Sequence, residues 1–582
     1  MAESQILVLK FGGSVLRDET SIARAVHEIY RHVRRGYRVV AVVSALHGTT
    51  DALAAQARGY DHEPLPSAYA ALLATGEQTS AALLALAVHR AGLPCEVADA
   101  ARIRLRTHSS LLDAEPESVD ASALRSLLEC VPVVVVPGFV GLDHSGRTTL
   151  LGRGGSDFTA LFLARALSAR CRLVKDVRGL YERDPQRPGP LARPFLTIRY
   201  DDALSLDGRI VQHKAVRYAE VHDLEFEVAT ENRDEVTLVG TRTSRLGAPD
   251  AQPLPPLRVV LLGLGSIGLG VYKSLEALPQ WFTVTKVAVR NVRRAADTGV
   301  PLSLLVPDVN EALAAPCDLV VELLGGLEPA RSCIHEALSR GIPVVTANKA
   351  VLARHGEELF ATAIRAGAEL RFAAAVGGAV PVLETIARAR AHGPIVAIAA
   401  VLNATSSFVL DRRAEGLSED EAARAAYALG LAEADPTLDL DGSDAADKLC
   451  LCAHAAFGRW FDRSAVEVRG VAAAAPHDLL AAGLGRGRIR LVARLSVQPS
   501  GDGDRVALRT NPKLLTESHE LGFLQPDQCG AVVRCQDGAE FRCSGRGAGR
   551  WPTAEAVLAD LLDLRREREK HPAPASLQEL AS

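Results

Sequence analysis

Two glycine-rich turns about 250 residues apart each follow directly on a short apolar run, and they constrain this chain more than any other feature. The first is Lys10-Phe-Gly-Gly-Ser14 after residues 6–9; the second is Gly263-Leu-Gly-Ser-Ile-Gly268 after residues 259–262. A strand that runs into glycines lets backbone N–H groups approach a phosphate closely. A helix starting just beyond it adds positive potential. Two such turns in separate halves predict two nucleotide sites on one chain.

The length of 582 residues predicts roughly four domains. A composition 48% hydrophobic and 23% charged is that of a globular chain. A net charge of −4 argues against nucleic-acid and membrane-surface roles. Met-Ala-Glu-Ser lacks the basic start of a secretory signal, so a cytoplasmic location is expected. The ten cysteines are scattered without zinc-ligand spacing and read as reduced structural thiols. Only nine of the 66 basic side chains are lysines. A lysine that persists where arginine would serve as a plain cation marks a place for an amine that transfers a proton. Lys10, Lys349 and Lys448 all fall inside motifs.

Strand-like runs at 6–9, 38–43, 131–136 and 172–175 alternate with helical runs at 21–35, 66–91 and 158–169. This alternation predicts an α/β sheet with covered faces. Two short strands at 224–229 and 236–240 close the first half. Residues 242–257, with four prolines, read as a linker. A βαβ pattern then opens at 258, with strands at 284–289, 319–322, 344–346 and 370–375. Beyond about 376 come helices at 419–429 and 443–457, strands at 489–496, 505–509 and 531–535, and a last helix from about 553. The boundaries predicted are 1–241, linker 242–257, 258–375, 376–544, a returning turn and helix at 545–570, and a frayed tail at 571–582.

The first half carries further pieces: Ser44-Ala45, Thr49-Thr50-Asp51, Thr75-Gly-Glu77, Arg153-Gly-Gly-Ser-Asp157 and Lys175-Asp-Val-Arg-Gly-Leu-Tyr181. In this order they resemble the catalytic domain of aspartate kinases, within the amino-acid kinase family, over about 4–241. The resemblance implies an α/β sandwich and phosphoryl transfer from ATP with Mg²⁺ to L-aspartate. It implies that Lys10 with Gly12 and Gly13 holds the phosphates, and that Asp157 organises the phosphoryl centre. Arg153 would bind an aspartate carboxylate and Glu77 its ammonium. Thr50, Ser44 and Ser156 are further substrate candidates, and Asp176 and Tyr181 would border the nucleotide. Gln186 stands where the family has arginine, and Ile210 where it has lysine, with Arg209 or Lys214 as substitutes. These departures leave open a catalytically weak binding or oligomerisation module, or a kinase with a different acceptor.

The second turn lies between a strand and a helix. The acidic residue expected about 20 positions on, for a ribose hydroxyl, is absent; Arg290 and Arg293 stand there instead. Arginines suit a 2′-phosphate and favour NADPH, with NADH the alternative. Then follow Val345-Thr-Ala-Asn-Lys349, Val376-Gly-Gly378, Asn403-Ala-Thr405, a block with Glu433, Asp439, Asp444 and Lys448, and Gly545-Arg-Gly-Ala-Gly549. This series resembles homoserine dehydrogenase over about 258–565. It implies a Rossmann-type NAD(P)-binding domain and an α+β substrate and dimerisation domain. Gly263, Gly265, Ser266, Ile267, Gly268, Thr346 and Gly549 would hold the cofactor. Lys448 would protonate the aldehyde oxygen, Lys349 would contact cofactor and substrate, and Glu433 and Asp444 would bind the amino group with Asp439 behind them. Asp444 and Lys448, four apart, would share one helix face. Ala373 replaces a carboxylate associated with a monovalent cation, so no side-chain metal site is expected.

Together the resemblances imply ATP-dependent phosphorylation of L-aspartate and NADPH-dependent reduction of aspartate 4-semialdehyde to L-homoserine. A homo-oligomer, dimer or tetramer, is expected, with small-molecule substrates and neither nucleic acid nor membrane as partner. No regulatory domain stands between the halves, so insensitivity to threonine is expected.

Overall fold

The computed structural model describes residues 5–570, apart from 186, 189, 207, 209, 251–252, 430, 433–434, 499–504 and 526. Gln186, Arg209, Glu433 and the tail at 571–582 therefore lie outside the described residues. The chain divides at Pro253 into two compact units.

In the first unit, nine strands form one sheet. Their order is Arg245–Leu246, Phe195–Arg199, Val236–Gly240, Phe226–Thr230, Arg170–Lys175, Ile6–Phe11, Arg38–Val43, Val133–Pro137 and Cys95–Val97. From Phe226–Thr230 to Cys95–Val97 all neighbours run parallel. Their middle members are near-continuous valine, and Val39 to Val43 and Val133 to Val136 are fully buried, as a sheet covered on both faces requires. A small four-stranded sheet, of which Thr148–Leu150 is one edge, lies apart from it. Helix Pro66–Arg90 is, among the described residues, the one long and apolar enough to cross a membrane. It buries Leu73, Leu84 and Val88 and also carries the buried carboxyl of Glu77.

The segment read as a linker is partly built into this unit. Arg245–Leu246 pairs antiparallel with Phe195–Arg199. Asp250 accepts hydrogen bonds from Tyr181 Oη at 2.7 Å and Arg178 Nη1 at 2.9 Å. Its prolines mark a strap with side-chain anchors, which composition alone does not distinguish from a bare connection.

The second unit opens with a six-stranded parallel sheet ordered Leu305–Val306, Phe282–Ala288, Leu257–Leu262, Leu319–Glu322, Val344–Thr346 and Leu370–Arg371. Numbered along the chain, this is the doubly wound order 3-2-1-4-5-6. The last strand stops earlier than the apolar run predicts. At Ala373 the backbone N–H turns to Asp560 Oδ2, 3.0 Å away, and residues Ala373–Ala375 form a 3₁₀ turn. A mixed sheet follows, ordered Glu467–Val468, Arg505–Leu515, Arg488–Gln498, Ile395–Val401, Cys529–Cys535 and Glu540–Gly545. Helices Val382–His392 and Ser443–Phe457 pack on it.

The closing helix, Arg550–Lys570, starts about three residues before the predicted position. Pro552 lies in its first turn, where a missing N–H leaves no hydrogen bond unmade. The helix is buried against Ser266–Glu276, the helix that follows the second glycine turn. All ten cysteines are free thiols.

Candidate active sites

The first glycine turn ends the strand Ile6–Phe11, and the Gly12 carbonyl accepts from Val15 and Leu16 N–H, both at 2.9 Å. Lys10, on that strand, is 5% exposed. Its ammonium meets Asp157 Oδ1 at 2.7 Å. Asp157 stands in the first turn of helix Gly155–Leu167, where the helix dipole favours a carboxylate. A second amine completes the group: Lys175, at the end of the adjacent parallel strand, reaches Asp157 Oδ1 at 3.0 Å and Oδ2 at 2.9 Å. Burial pushes the Lys10 amine down to about 8 against the opposing pull of Asp157. Burial would raise Asp157, but Lys10 and Lys175 hold it at about 2.

Beside this trio is a cleft of about 540 Å³. Ser44, Thr50, Glu77, Arg153 and Ser156, which the sequence assigns to the acceptor, all line it together with Lys10 and Gly13, which it assigns to the phosphates. Glu77 Oε1 accepts from Ala45 N–H at 3.1 Å. Its Oε2 is buried with no hydrogen-bond partner among the described residues. Burial raises this carboxyl to about 7, the Ala45 N–H opposing. A lone buried oxygen at a cleft wall is an acceptor waiting for a donor.

Asp176 and Tyr181 do not line that cleft. Asp176 makes an exposed 3.4 Å pair with Arg17, and Tyr181 is held by Asp250. Of the two substitutes named for the missing lysine, Arg209 lies outside the described residues and Lys214 is bonded elsewhere than at Lys10. Lys214 donates to Asp113 Oδ1 at 2.7 Å and Leu151 O at 3.2 Å, fastening the Arg153 loop instead. Ile210 packs against the apolar core.

In the second unit, Gly263 has φ of +101°, and a Cβ there would lie 2.5 Å from Leu323 O. A Cβ on Gly268 would lie 2.1 Å from Gly263 O, so strand and helix close up only around hydrogen atoms. Gly265 precedes helix Ser266–Glu276 with open space above it. Ser266 and Ile267 form the first turn, whose N–H groups have no carbonyl partner within the helix. This turn fits a dinucleotide pyrophosphate. Arg290 and Arg293 are exposed beyond the second strand, flanking Asn291, which caps helix Val292–Ala296. Gly549, with φ of +113°, immediately precedes the closing helix.

Thr346 ends the fifth parallel strand. Its hydroxyl donates to Glu322 Oε2 at 2.5 Å and accepts from Asn348 N–H at 2.9 Å. Asn348 caps helix Lys349–Ala366, which places Lys349 at the helix start. Lys349 Nζ lies 3.0 Å from Asp444 Oδ1, and Lys448 Nζ lies 2.7 Å from Asp444 Oδ2. Lys448 also donates to Leu402 O at 2.7 Å. Burial would raise the Asp444 carboxyl, but Lys448 and Lys349 hold it well below the usual range. Burial opposes charge on Lys349, yet Asp444 holds its amine above the ordinary value. Asn403 Nδ2 bridges Asp439 Oδ1 at 2.6 Å and Asp444 Oδ2 at 2.8 Å. Burial and the charge of Asp444 raise Asp439.

The sequence assigns no role to Lys175, Asn403 or Glu322, although the first two lie in quoted motifs and the third ends a predicted strand. For Lys175 a signal existed, since it is another of the nine lysines.

The amino acid kinase family matches residues 5–225. The homoserine dehydrogenase NAD binding domain matches residues 263–373, and the homoserine dehydrogenase family matches residues 381–562. The homoserine dehydrogenase of Synechocystis is 34% identical over 316 residues, 53% of this chain and 73% of its own length. That of Mycobacterium tuberculosis is 35% identical over 322 residues, 54% and 73% of the two chains. A homoserine dehydrogenase structure from Thiobacillus denitrificans superposes with a TM-score of 0.51 at 32% identity, covering 56% of this chain and 77% of that one. Fold, site and matches define a dinucleotide-dependent oxidoreductase that follows an amino acid kinase domain. The chain belongs to the homoserine dehydrogenase family.

Proposed function

We propose that the second unit reduces L-aspartate 4-semialdehyde to L-homoserine with NADPH, and that the first phosphorylates L-aspartate with ATP and Mg²⁺. The observation that carries the reductase reading is the Lys349–Asp444–Lys448 cluster. One carboxylate there orients two amines, and its charge is available to the substrate ammonium.

The dinucleotide, when bound, supplies the hydride. Lys448 gives a proton to the aldehyde oxygen as negative charge develops on it. Lys349 stabilises the same charge electrostatically. Asp444 holds both amines and, with Glu433, takes the substrate ammonium; Asn403 and Asp439 hold Asp444 in place. Thr346 would stand by the nicotinamide ribose, Arg290 and Arg293 would take the 2′-phosphate, and Gly549 would border the cofactor. Turnover of NADPH with the semialdehyde, lost in Lys448→Met, is the expected result.

For the first unit, the support is the cleft lined by Lys10, Arg153 and a Glu77 carboxyl with one unpartnered oxygen. Lys10 and Lys175 neutralise the transferring phosphoryl group while Asp157 sets their spacing. Asp176 and Tyr181 border the nucleotide, Tyr181 steadied by Asp250. Phosphoryl transfer asks mainly for this kind of positioning and charge. The test is aspartate-dependent formation of ADP, abolished by Arg153→Ala. Absence of turnover in the intact enzyme would favour the binding-module reading instead. Neither activity is expected to respond to threonine, since the segment between the units is a short strap; a fall in either rate on adding threonine would overturn that. A cytoplasmic homo-oligomer completes the proposal.

A further inference from the structure

The C-terminal helix brings a cation to the second glycine turn. Arg550 is the first residue of helix Arg550–Lys570 and is exposed. Its Nε donates to Ser266 Oγ at 3.3 Å. Ser266 is the first residue of the helix that receives the turn and is itself exposed. The aliphatic stem of Arg550 lies against that helix: a Cβ at Gly270 would come within 3.0 Å of Arg550 Cγ and 3.1 Å of Ala554 Cβ. Gly270 therefore opens the space in which the stem rests. Neither terminal Nη group makes a hydrogen bond among the described residues. The guanidinium is thus anchored by stem and Nε at the positive end of a helix, a place that repels a cation unless an anion shares it.

We infer that Arg550 binds the pyrophosphate of the dinucleotide, with its Nη groups donating to the phosphate oxygens above Ser266. The inference rests on the reductase reading and adds a ligand contact that the glycine motif does not contain. It separates two phosphate tasks. Arg290 and Arg293 meet a group that only NADPH possesses, whereas Arg550 meets the pyrophosphate common to NADPH and NADH. A planar guanidinium offers paired donors to phosphate oxygens, and such charge-assisted bonds are stronger than bonds between neutral groups.

The experiment measures dissociation constants of NADPH and of NADH on the full chain by calorimetric titration, without substrate. Arg550→Ala and Arg550→Gln are compared with the natural protein, and the glutamine variant keeps a stem to pack on Gly270. Both dinucleotides are expected to bind about tenfold more weakly in either variant, with the NADPH/NADH ratio unchanged. Unchanged affinity in the glutamine variant overturns the inference, and so does weakening confined to NADPH. If the natural protein binds neither dinucleotide, the reductase reading itself falls. Thermal melts of the variants without ligand, expected to match the natural protein, show that the fold is intact.

Discussion

Lys175 Nζ reaches both carboxylate oxygens of Asp157, at 3.0 and 2.9 Å, while Lys10 holds Oδ1 from the neighbouring strand. Two buried amines on one buried carboxylate leave a net positive charge at the rim of the acceptor cleft. This arrangement places a second cation near Lys10 although Ile210 occupies the position where a lysine was expected. Lys175→Met is expected to lower the aspartate-dependent ADP-forming rate by about 10²-fold or more. Little change in aspartate KM should accompany it. A rate equal to that of the natural protein would remove Lys175 from the phosphoryl centre.

Glu77 gives the first unit a pH dependence whose sign follows from burial. Its carboxyl rises from 4.5 to about 7 on folding. The folded state therefore holds this proton more tightly, and stability falls as pH climbs from about 4.5 through 7. Glu77→Gln should be more stable than the natural protein at pH 8, by up to ~3 kcal/mol, with the gain vanishing near pH 4. Urea titrations at the two pH values measure this. Substrate binding runs the other way. Aspartate KM should drop as pH rises through about 7, when the carboxylate becomes able to meet an ammonium, and the glutamine variant should lose that dependence.

Asp444 and Lys448 separate structure from chemistry in the reductase. Lys448→Met should lower kcat by roughly 10²- to 10⁴-fold and leave the NADPH dissociation constant unchanged. Asp444→Ala strands two amines that share one carboxylate, that of Lys448 on a side chain only 12% exposed. It should cost about 3 kcal/mol of stability as well as activity. Unfolding midpoints in urea and steady-state kinetics on the two variants distinguish these outcomes.

Gly268→Ala tests the glycine turn by volume alone. The added methyl would sit 2.1 Å from Gly263 O, a backbone atom that cannot swing aside. Loss of NADPH binding is expected, with a melting temperature lower by several degrees. Undiminished affinity would show that the strand and helix can part without cost.

The parts of this chain that sequence makes legible are those in which local pattern and chemistry coincide. The valine run at 38–43 and the helix Ser443–Phe457 both declare their period and end signals, and the structure has them at the same residues. The glycine turns are legible because close backbone approach excludes side chains. Short strands of the small sheet such as Arg106–Ser109 and Ala114–Ser118 are not, since four or five largely polar residues carry no hydrophobic alternation. Pairings distant in sequence are equally silent: nothing local tells Asp250 that it will hold Tyr181, or Arg550 that it will stand over Ser266. Lys175 lies between these cases. Its motif was visible, but only the register of two parallel strands reveals that it shares a carboxylate with Lys10.

The buried Arg565 of the closing helix donates to Leu254 O at 2.9 Å, Pro255 O at 3.1 Å and Trp281 O at 3.0 Å. The segment that leads into the first strand of the dinucleotide sheet is thereby tied to a residue made more than 300 positions later. The kinase-like unit needs no such delay, because its contacts close within the first 253 residues. On the ribosome the two units consequently finish at different times. The first can complete its sheet while translation continues. The second has to keep an all-parallel apolar sheet unsealed until the helix Arg550–Lys570 has been made.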